Sequence, residues 1–366
     1  MMLSLYISHA ILWVGCDSQD VLARRTTLGG MPHRPPLVIG HRGAPGYRPE
    51  HSRASYELAI DLGVDAVEPD VVASRDGVLL VRHENEISGT TDIASRPELA
   101  GRRTTKTVDG RHLTGWFTED LTWDELSALR TRERLPAIRP SSAAFDGAEP
   151  ILTLVDLLDL VRRASDERGR RIGVVLEVKH ATHFEAAGLD LVPLIERDLR
   201  AAGWHDGTRP LVVESFEPTV LARLRERGVP ATYVYLLEAE GAPFDLVTRE
   251  GAGARSYRDT ATAGGLDALV GAVDGISVDK RMLLERDPAS GGGRASSLAA
   301  SVHERGLQLY TWTCRPENVF LERGFRGPGG KAAFGDYAGE WGVIREAGVD
   351  GVFVDHPDLG AEFFRA

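Results

Sequence analysis

Two acids one residue apart, Glu68 and Asp70, interrupt an apolar run that opens at Val64. In an extended strand residues i and i+2 point to the same side, so both carboxylates face one way. Glu177 and Lys179 repeat that spacing at the end of a second apolar run. Acids set among Val and Ala must recover the cost of desolvation, and a cation does this. Glu68, Asp70 and Glu177 would give three carboxylates from two strand ends, a hard-oxygen set suited to one divalent cation, Ca²⁺ or Mg²⁺. A zinc site would more often draw on Cys and several His. His41 and His83 add an acid/base pair. With ordinary pKa values of about 6.5, one can give a proton while the other takes one. Arg42 and Lys179 supply fixed positive charge. Together these groups suit an anionic, phosphate-like centre that passes through a more charged transition state. Each residue also has a plainer reading. Glu68 and Asp70 could be solvated on an edge strand, and Glu177 and Lys179 could be an ordinary ion pair. Glu50 follows Pro49 and could favour a helix N-terminus. Trp312 could pack inside a barrel. Separate structural roles do not explain why these residues fall at the ends of different strands.

The elements that must position them follow one local pattern: a helix-like segment, a Gly, then an apolar run. It recurs at Gly63, Gly228, Gly306 and Gly348. Gly ends a helix in the left-handed conformation, and a continuous apolar run suits a strand buried on both faces. Eight strands are predicted, at 37–41, 64–71, 172–179, 211–216, 231–237, 275–280, 307–313 and 350–355. Repeated βα units mean a parallel sheet, and eight of them predict an α/β fold of the (β/α)8 TIM-barrel type. A doubly wound open sheet is the alternative. It usually carries a Gly-rich phosphate loop after the first strand, and no G-x-G-x-x-G stands there. The barrel is expected over 37–358, with an insertion of about 85–150 after the second strand holding one helix-like piece, Trp123–Arg130. Connections 240–274 and 314–337 are also long. Barrel enzymes gather their functional groups at the C-terminal ends of the strands. In this chain those ends carry His41, Arg42, Glu68, Asp70, Glu177, Lys179, Glu214, Asp279, Trp312 and Asp355.

Composition narrows the class. Of 366 residues, 42% are hydrophobic and 27% charged, the balance of a soluble globular protein. A formal net charge of -11 argues against a nucleic-acid surface. Cys16 and Cys314 offer neither metal-ligand spacing nor a disulfide framework. No run is long enough to insert stably in a membrane. Residues 1–36 read as an N-terminal extension, disordered or a poor signal. Met1–Cys16 is apolar but lacks a preceding Lys or Arg and an Ala-x-Ala-like site, and Met31 offers a second start. A cytoplasmic location is expected, with export to the periplasm or outside as the alternative.

His41-Arg-Gly-Ala44, Arg48-Pro-Glu-His-Ser52, Glu68-Pro-Asp-Val71, Asp76-Gly77, His83 and Leu176-Glu-Val-Lys179 together resemble the glycerophosphodiester phosphodiesterase family. The likeness runs from about residue 37 to 355. The insertion, with Gly89-Thr-Thr-Asp-Ile93 and Gly115-Trp-Phe-Thr-Glu-Asp120, looks like that of the periplasmic-type bacterial members. The resemblance implies a TIM barrel that hydrolyses glycerophosphodiesters to sn-glycerol 3-phosphate and an alcohol. It implies His41 and His83 as general acid and base, Glu68, Asp70 and Glu177 as holders of the divalent cation, and Arg42 and Lys179 on the phosphate. Glu50 helps form the site, and Trp312 is a further candidate on the substrate side. The family mechanism implies attack by the substrate's own glycerol hydroxyl and a cyclic phosphate that water then opens. His51-Ser52 replaces the usual Asn-Thr, and Glu214 stands where Gln is common before Ser-Phe. The second departure puts negative charge near an anionic substrate. Activity on lysophospholipids, and a non-catalytic barrel binding a phosphorylated ligand, are the alternatives. Oligomeric state is not readable from the chain.

Overall fold

The computed structural model describes residues 35–286 and 293–366, so most of the expected N-terminal extension lies outside the described residues. In chain order the strands are β1 (Leu37–His41), β2 (Ala66–Glu68), β3 (Asp70–Ala73), β4 (Leu79–Val81), β5 (Thr104–Val108), β6 (Arg111–Gly115), β7 (Gly173–Val178), β8 (Leu211–Ser215), β9 (Thr232–Leu237), β10 (Gly275–Asp279), β11 (Leu284–Arg286), β12 (Gly293–Ala295), β13 (Gln308–Cys314) and β14 (Gly351–Val354). Parallel pairing runs β1–β2–β7–β8–β9–β10–β13–β14, and β14 returns to β1, which closes the barrel. This is the expected (β/α)8 barrel, with helices around it.

Two layers of apolar side chains hold it together. The larger lies between strands and helices and includes Tyr56, Leu157, Leu158, Ile195, Leu224 and Trp341. A small inner layer of Ile39, Ala66, Val175, Val212, Val234, Tyr310 and Phe353 plugs the barrel. The helices on the outside end as the pattern required. Gly348 caps helix Tyr337–Ala347 at φ 81°, a conformation that costs a residue with a Cβ.

The predicted second strand is in fact two. Pro69 has no N–H to give to a ladder, so the strand breaks there. Its carbonyl still accepts from Glu177 N at 2.9 Å, which keeps β3 in line beside β7. β3 then turns back into the antiparallel β4, whose end carries the chain to His83.

The connection between β4 and helix Leu154–Arg168 is more structured than its composition suggests. It holds the hairpin β5–β6 and a helix of only Trp123–Ser127, shorter than the expected Trp123–Arg130. Thr122 and Glu125 form a capping box at its start. Beyond Ala128 the backbone forms isolated bridges instead, Arg130 with Pro150 and Thr131 with Thr91. The Gly/Ala-rich connection 240–274 likewise folds into short helices at Phe244–Glu250, Tyr257–Thr260 and Ala263–Asp267.

Candidate active site

The inner apolar layer dictates where the polar residues go. Moving two residues toward the C-terminus along each strand keeps the side chain on the same face. From Ile39, Ala66, Val175, Val212, Tyr310 and Phe353 that step reaches His41, Glu68, Glu177, Glu214, Trp312 and Asp355. The first five line one large cavity at the C-terminal mouth together with Arg42, His83 and Lys179. Among the sequence candidates, Asp70 and Glu50 stand behind that surface, buried at 0% and 5% exposure. The small bottom layer and the functional mouth are therefore successive layers of one barrel.

His41 is oriented from below. Its Nδ1 lies 2.6 Å from Asp355 Oδ1, which leaves Nε2 for the cavity. Asp355 Oδ2 accepts from Arg139 Nη2 and from Arg315 Nε, both at 2.6 Å. His83 is held by Glu84, with Nδ1 2.5 Å from Oε1. That tautomer lets His83 Nε2 accept from Lys179 Nζ at 3.1 Å. Lys179 also donates to Glu177 Oε1 at 2.6 Å and lies 3.5 Å from Asp70.

Arg42 sits at the left-handed φ of 57° and donates its backbone N–H to Glu68 Oε2 at 2.7 Å. Its carbonyl accepts from His51 N, itself at φ 59°. Two non-glycine residues in this conformation store strain of about 1–3 kcal/mol each, which the surrounding bonds must hold. They aim the Arg42 side chain between Glu50, 3.3 Å away, and Asp70, 3.5 Å away. His51 takes a buried structural post. Its Nε2 lies 2.9 Å from Asp70 Oδ2, and its Nδ1 lies 2.7 Å from the Tyr56 hydroxyl. Ser52 caps the following helix.

The insertion reaches into this network. Arg134 bridges Glu50 and Glu84 with four hydrogen bonds of 2.6–2.9 Å. Arg139 joins Asp355 to Glu317. Asp109, at the β5–β6 turn, meets His180 Nδ1 at 2.5 Å. None of these was a candidate from sequence, because nothing periodic marks them. Asp355 was noted only as a strand end.

A model of the glycerophosphoryl diester phosphodiesterase family matches residues 41–359. The chain belongs to this family. It is an enzyme of the phosphodiesterase class, with a phosphoric diester hydrolase fold built around the mouth just described. Its similarity extends to a glycerophosphodiester phosphodiesterase of Arabidopsis thaliana, 27% identical, covering 87% of this chain and 83% of that protein. One from Treponema pallidum is 24% identical over 89% and 91%. Among solved structures, a glycerophosphoryl diester phosphodiesterase from Silicibacter pomeroyi superposes with a TM-score of 0.62 at 22% identity, covering 92% of this chain and 94% of that one. A phosphodiesterase of Oleispira antarctica, in complex with its product sn-glycerol 3-phosphate, gives 0.58 at 18% identity, covering 91% and 98%. At these identities the structures speak for the fold.

In this family member the electrostatics of the mouth are set by burial first. Burial, then the Arg42 charge, lowers His41 to about 4 against the pull of Asp355. Burial, then Arg42 and Lys179, lowers His83 to about 3. Burial thus favours the neutral form of both imidazoles. Burial raises Glu177 to about 8, with Lys179 opposing and Asp70 adding to the rise. Burial and the neighbouring acids also hold Glu68 and Glu214 well above the usual carboxylate range. Asp70 goes the other way. Burial alone would raise it, but Lys179, His83, His51 and Arg42 together keep it well below that range.

Glu68, Glu177 and Glu214 each bring an oxygen within 4.8 Å of the others. Glu214 Oε2 is buried without a hydrogen-bond partner among the described residues. Three converging carboxylates with an unserved oxygen fit a hard divalent cation. Asp70, the other acid expected at the cation, borders this cluster: it stands opposite Glu177 in the β3–β7 register, beside His51, Arg42 and Lys179, and its Oδ1 also lacks a hydrogen bond among the described residues.

Proposed function

We propose that the chain hydrolyses small glycerophosphodiesters, such as glycerophosphocholine, to sn-glycerol 3-phosphate and an alcohol with the help of one divalent cation. The observation that carries this reading is the gathering of two histidines, Arg42, Lys179 and the carboxylates Glu68 and Glu177 around one cavity. Arg42 and Lys179 bind the phosphate oxygens, and the substrate draws Lys179 away from His83 Nε2. One histidine then removes the proton of the glycerol hydroxyl as that oxygen attacks phosphorus. The other, entering the step as the imidazolium that the phosphate anion favours, gives its Nε2 proton to the leaving alcohol oxygen, and a cyclic phosphate results. In the second half the roles reverse. A water loses a proton to the histidine that acted as acid and opens the ring, and the other histidine returns its proton to the glycerol oxygen. Asp355 and Glu84 fix the two tautomers. Glu50 holds Arg42 and Arg134 in place. Glu68, Asp70 and Glu177 would hold Ca²⁺ or Mg²⁺, which would offset the charge gathered on the phosphate in the transition state.

The test is release of sn-glycerol 3-phosphate from glycerophosphocholine with chelator and with Ca²⁺ or Mg²⁺ added back. Metal-restored release supports the reading. Release that chelator leaves untouched rejects the metal, and no release with either ion rejects the substrate class. One observation favours a second reading, activity on lysophospholipids. The cavity has a volume of about 1160 Å³, somewhat above the usual range of small-ligand pockets. Phe216, Leu236, Phe244, Tyr257, Trp312 and Phe320 give it an apolar wall able to take an acyl chain. Lysophosphatidylcholine in the same assay separates the two. A position nearest the periplasmic-type bacterial members rests on the insertion motifs. The compartment, cytoplasmic or exported, is tested by fractionating the native host.

A further inference from the structure

We propose that Glu214 is itself a ligand of the divalent cation, which places the ion between Glu68, Glu177 and Glu214. The inference rests on the metal-dependent reading above and deepens it. Glu214 stands directly across from Glu177 in the β7–β8 register. It is 2% exposed, and it points into the mouth because Val212, two residues back, belongs to the inner layer. Its Oε2 meets no donor among the described residues. The nearby cation Lys179 is already committed, to Glu177 at 2.6 Å and to Asp70 at 3.5 Å. A buried carboxylate with no donor and no free counter-charge is costly. A cation bridging it to Glu68 and Glu177 removes that cost. Asp70 differs in this respect, since His51 Nε2 lies 2.9 Å from its Oδ2 and Arg42 Nε 3.5 Å. Burial and the neighbouring acids favour the protonated form of Glu214, but unlike an amide it can give up that proton and bring a full negative charge to a bound ion. More ligand charge tightens a divalent site. The charge that would repel an anionic substrate is then spent on the ion.

The test titrates Ca²⁺, and separately Mg²⁺, into chelator-stripped protein by calorimetry, with thermal unfolding measured in parallel. Glu214→Gln keeps the shape and removes the charge. Glu238→Gln, at the end of the neighbouring strand and lining the same cavity, controls for general loss of negative potential. Glu214→Gln should weaken binding about tenfold or more, and Glu238→Gln should change it less than about twofold. The metal-free Glu214→Gln protein should melt higher than the metal-free native protein and gain less from added ion. Binding by Glu214→Gln within twofold of native, or an equal loss in Glu238→Gln, overturns the assignment. If Glu214→Gln does not fold, Glu214→Ser is read in the same way. A native protein that binds neither ion overturns both this inference and the metal-dependent reading, whereas an unaltered variant of a metal-binding protein overturns this inference alone.

Discussion

Asp355→Asn isolates what orients His41. The carboxylate is fully buried and serves three partners, each at 2.6 Å: His41 Nδ1, Arg139 Nη2 and Arg315 Nε. Asn fills the same space without the charge. Two effects follow, and they can be read separately. Removing one partner of a buried ion pair typically costs about 3–5 kcal/mol. Arg139 keeps Glu317 at 2.8 Å, so the low end, about 3 kcal/mol, is expected in urea unfolding. The second effect is on turnover. Asp355 is the group that raises His41 against burial and Arg42. Without it the protonated imidazole is harder to form and its tautomer is free to change. Positioned acid/base transfer contributes about 10²–10⁴-fold, so kcat should fall about hundredfold or more, and the acidic limb of kcat/KM should move to lower pH. The assay is sn-glycerol 3-phosphate release across pH 4–9. Arg139→Gln is the comparison. It should lose similar stability yet keep most of its kcat, because Asp355 still faces His41. Turnover of Asp355→Asn within threefold of native, with an unmoved acidic limb, would refute the orienting role.

His41→Ala and His83→Ala should each lower kcat by about 10²–10⁴-fold while the far-ultraviolet circular dichroism stays native. Native turnover in either variant sinks the acid/base pair. His41 also makes stability depend on pH. Its folded pKa of about 4 lies below the unfolded value of about 6.5, so the unfolded chain takes up the proton first. Stability is therefore full above pH 6.5 and falls by up to about 3 kcal/mol as pH drops toward 4. The slope of the urea midpoint over that range should flatten in His41→Gln, and an identical slope counts against it. Arg134→Met leaves Glu50 and Glu84 without their shared partner. It should cost about 2 kcal/mol, since the side chain is partly exposed at 27%, and should expose 85–150 to limited proteolysis. A cleavage pattern that matches the native one tells against the clamp.

The two periodicities of the chain explain what could be read from it and what could not. Barrel strands alternate with period two, so any polar residue two steps past an inner apolar one must point toward the mouth. His41, Glu68, Glu177 and Trp312 were legible on that rule alone. Glu214 obeyed the same rule, whereas Asp355 stays buried beneath His41 and does not line the mouth: the spacing gives a side chain's direction, not whom it meets. Asp355 needed Arg139 and Arg315 on the page before it became His41's orienter. Asp70 shows where the rule alone says too little. Pro69 breaks the run after Glu68, and a separate strand opens at Asp70, opposite Glu177. The acid then falls among His51, Arg42 and Lys179, beside the carboxylate cluster. The insertion carries no period at all, and its contacts span large separations, 84 residues from Arg134 to Glu50 and 216 from Arg139 to Asp355. Such pairs are chosen by where a long connection lies across the barrel, which no local pattern encodes. Yet both arginines brace residues of the mouth: Arg134 backs Glu50 and Glu84, and Arg139 backs Asp355. The strands thus decide which groups face the substrate, and the insertion decides how firmly two of the most important are held. Changes at Arg134 should for that reason reach kcat through Glu84 and His83 without touching the substrate.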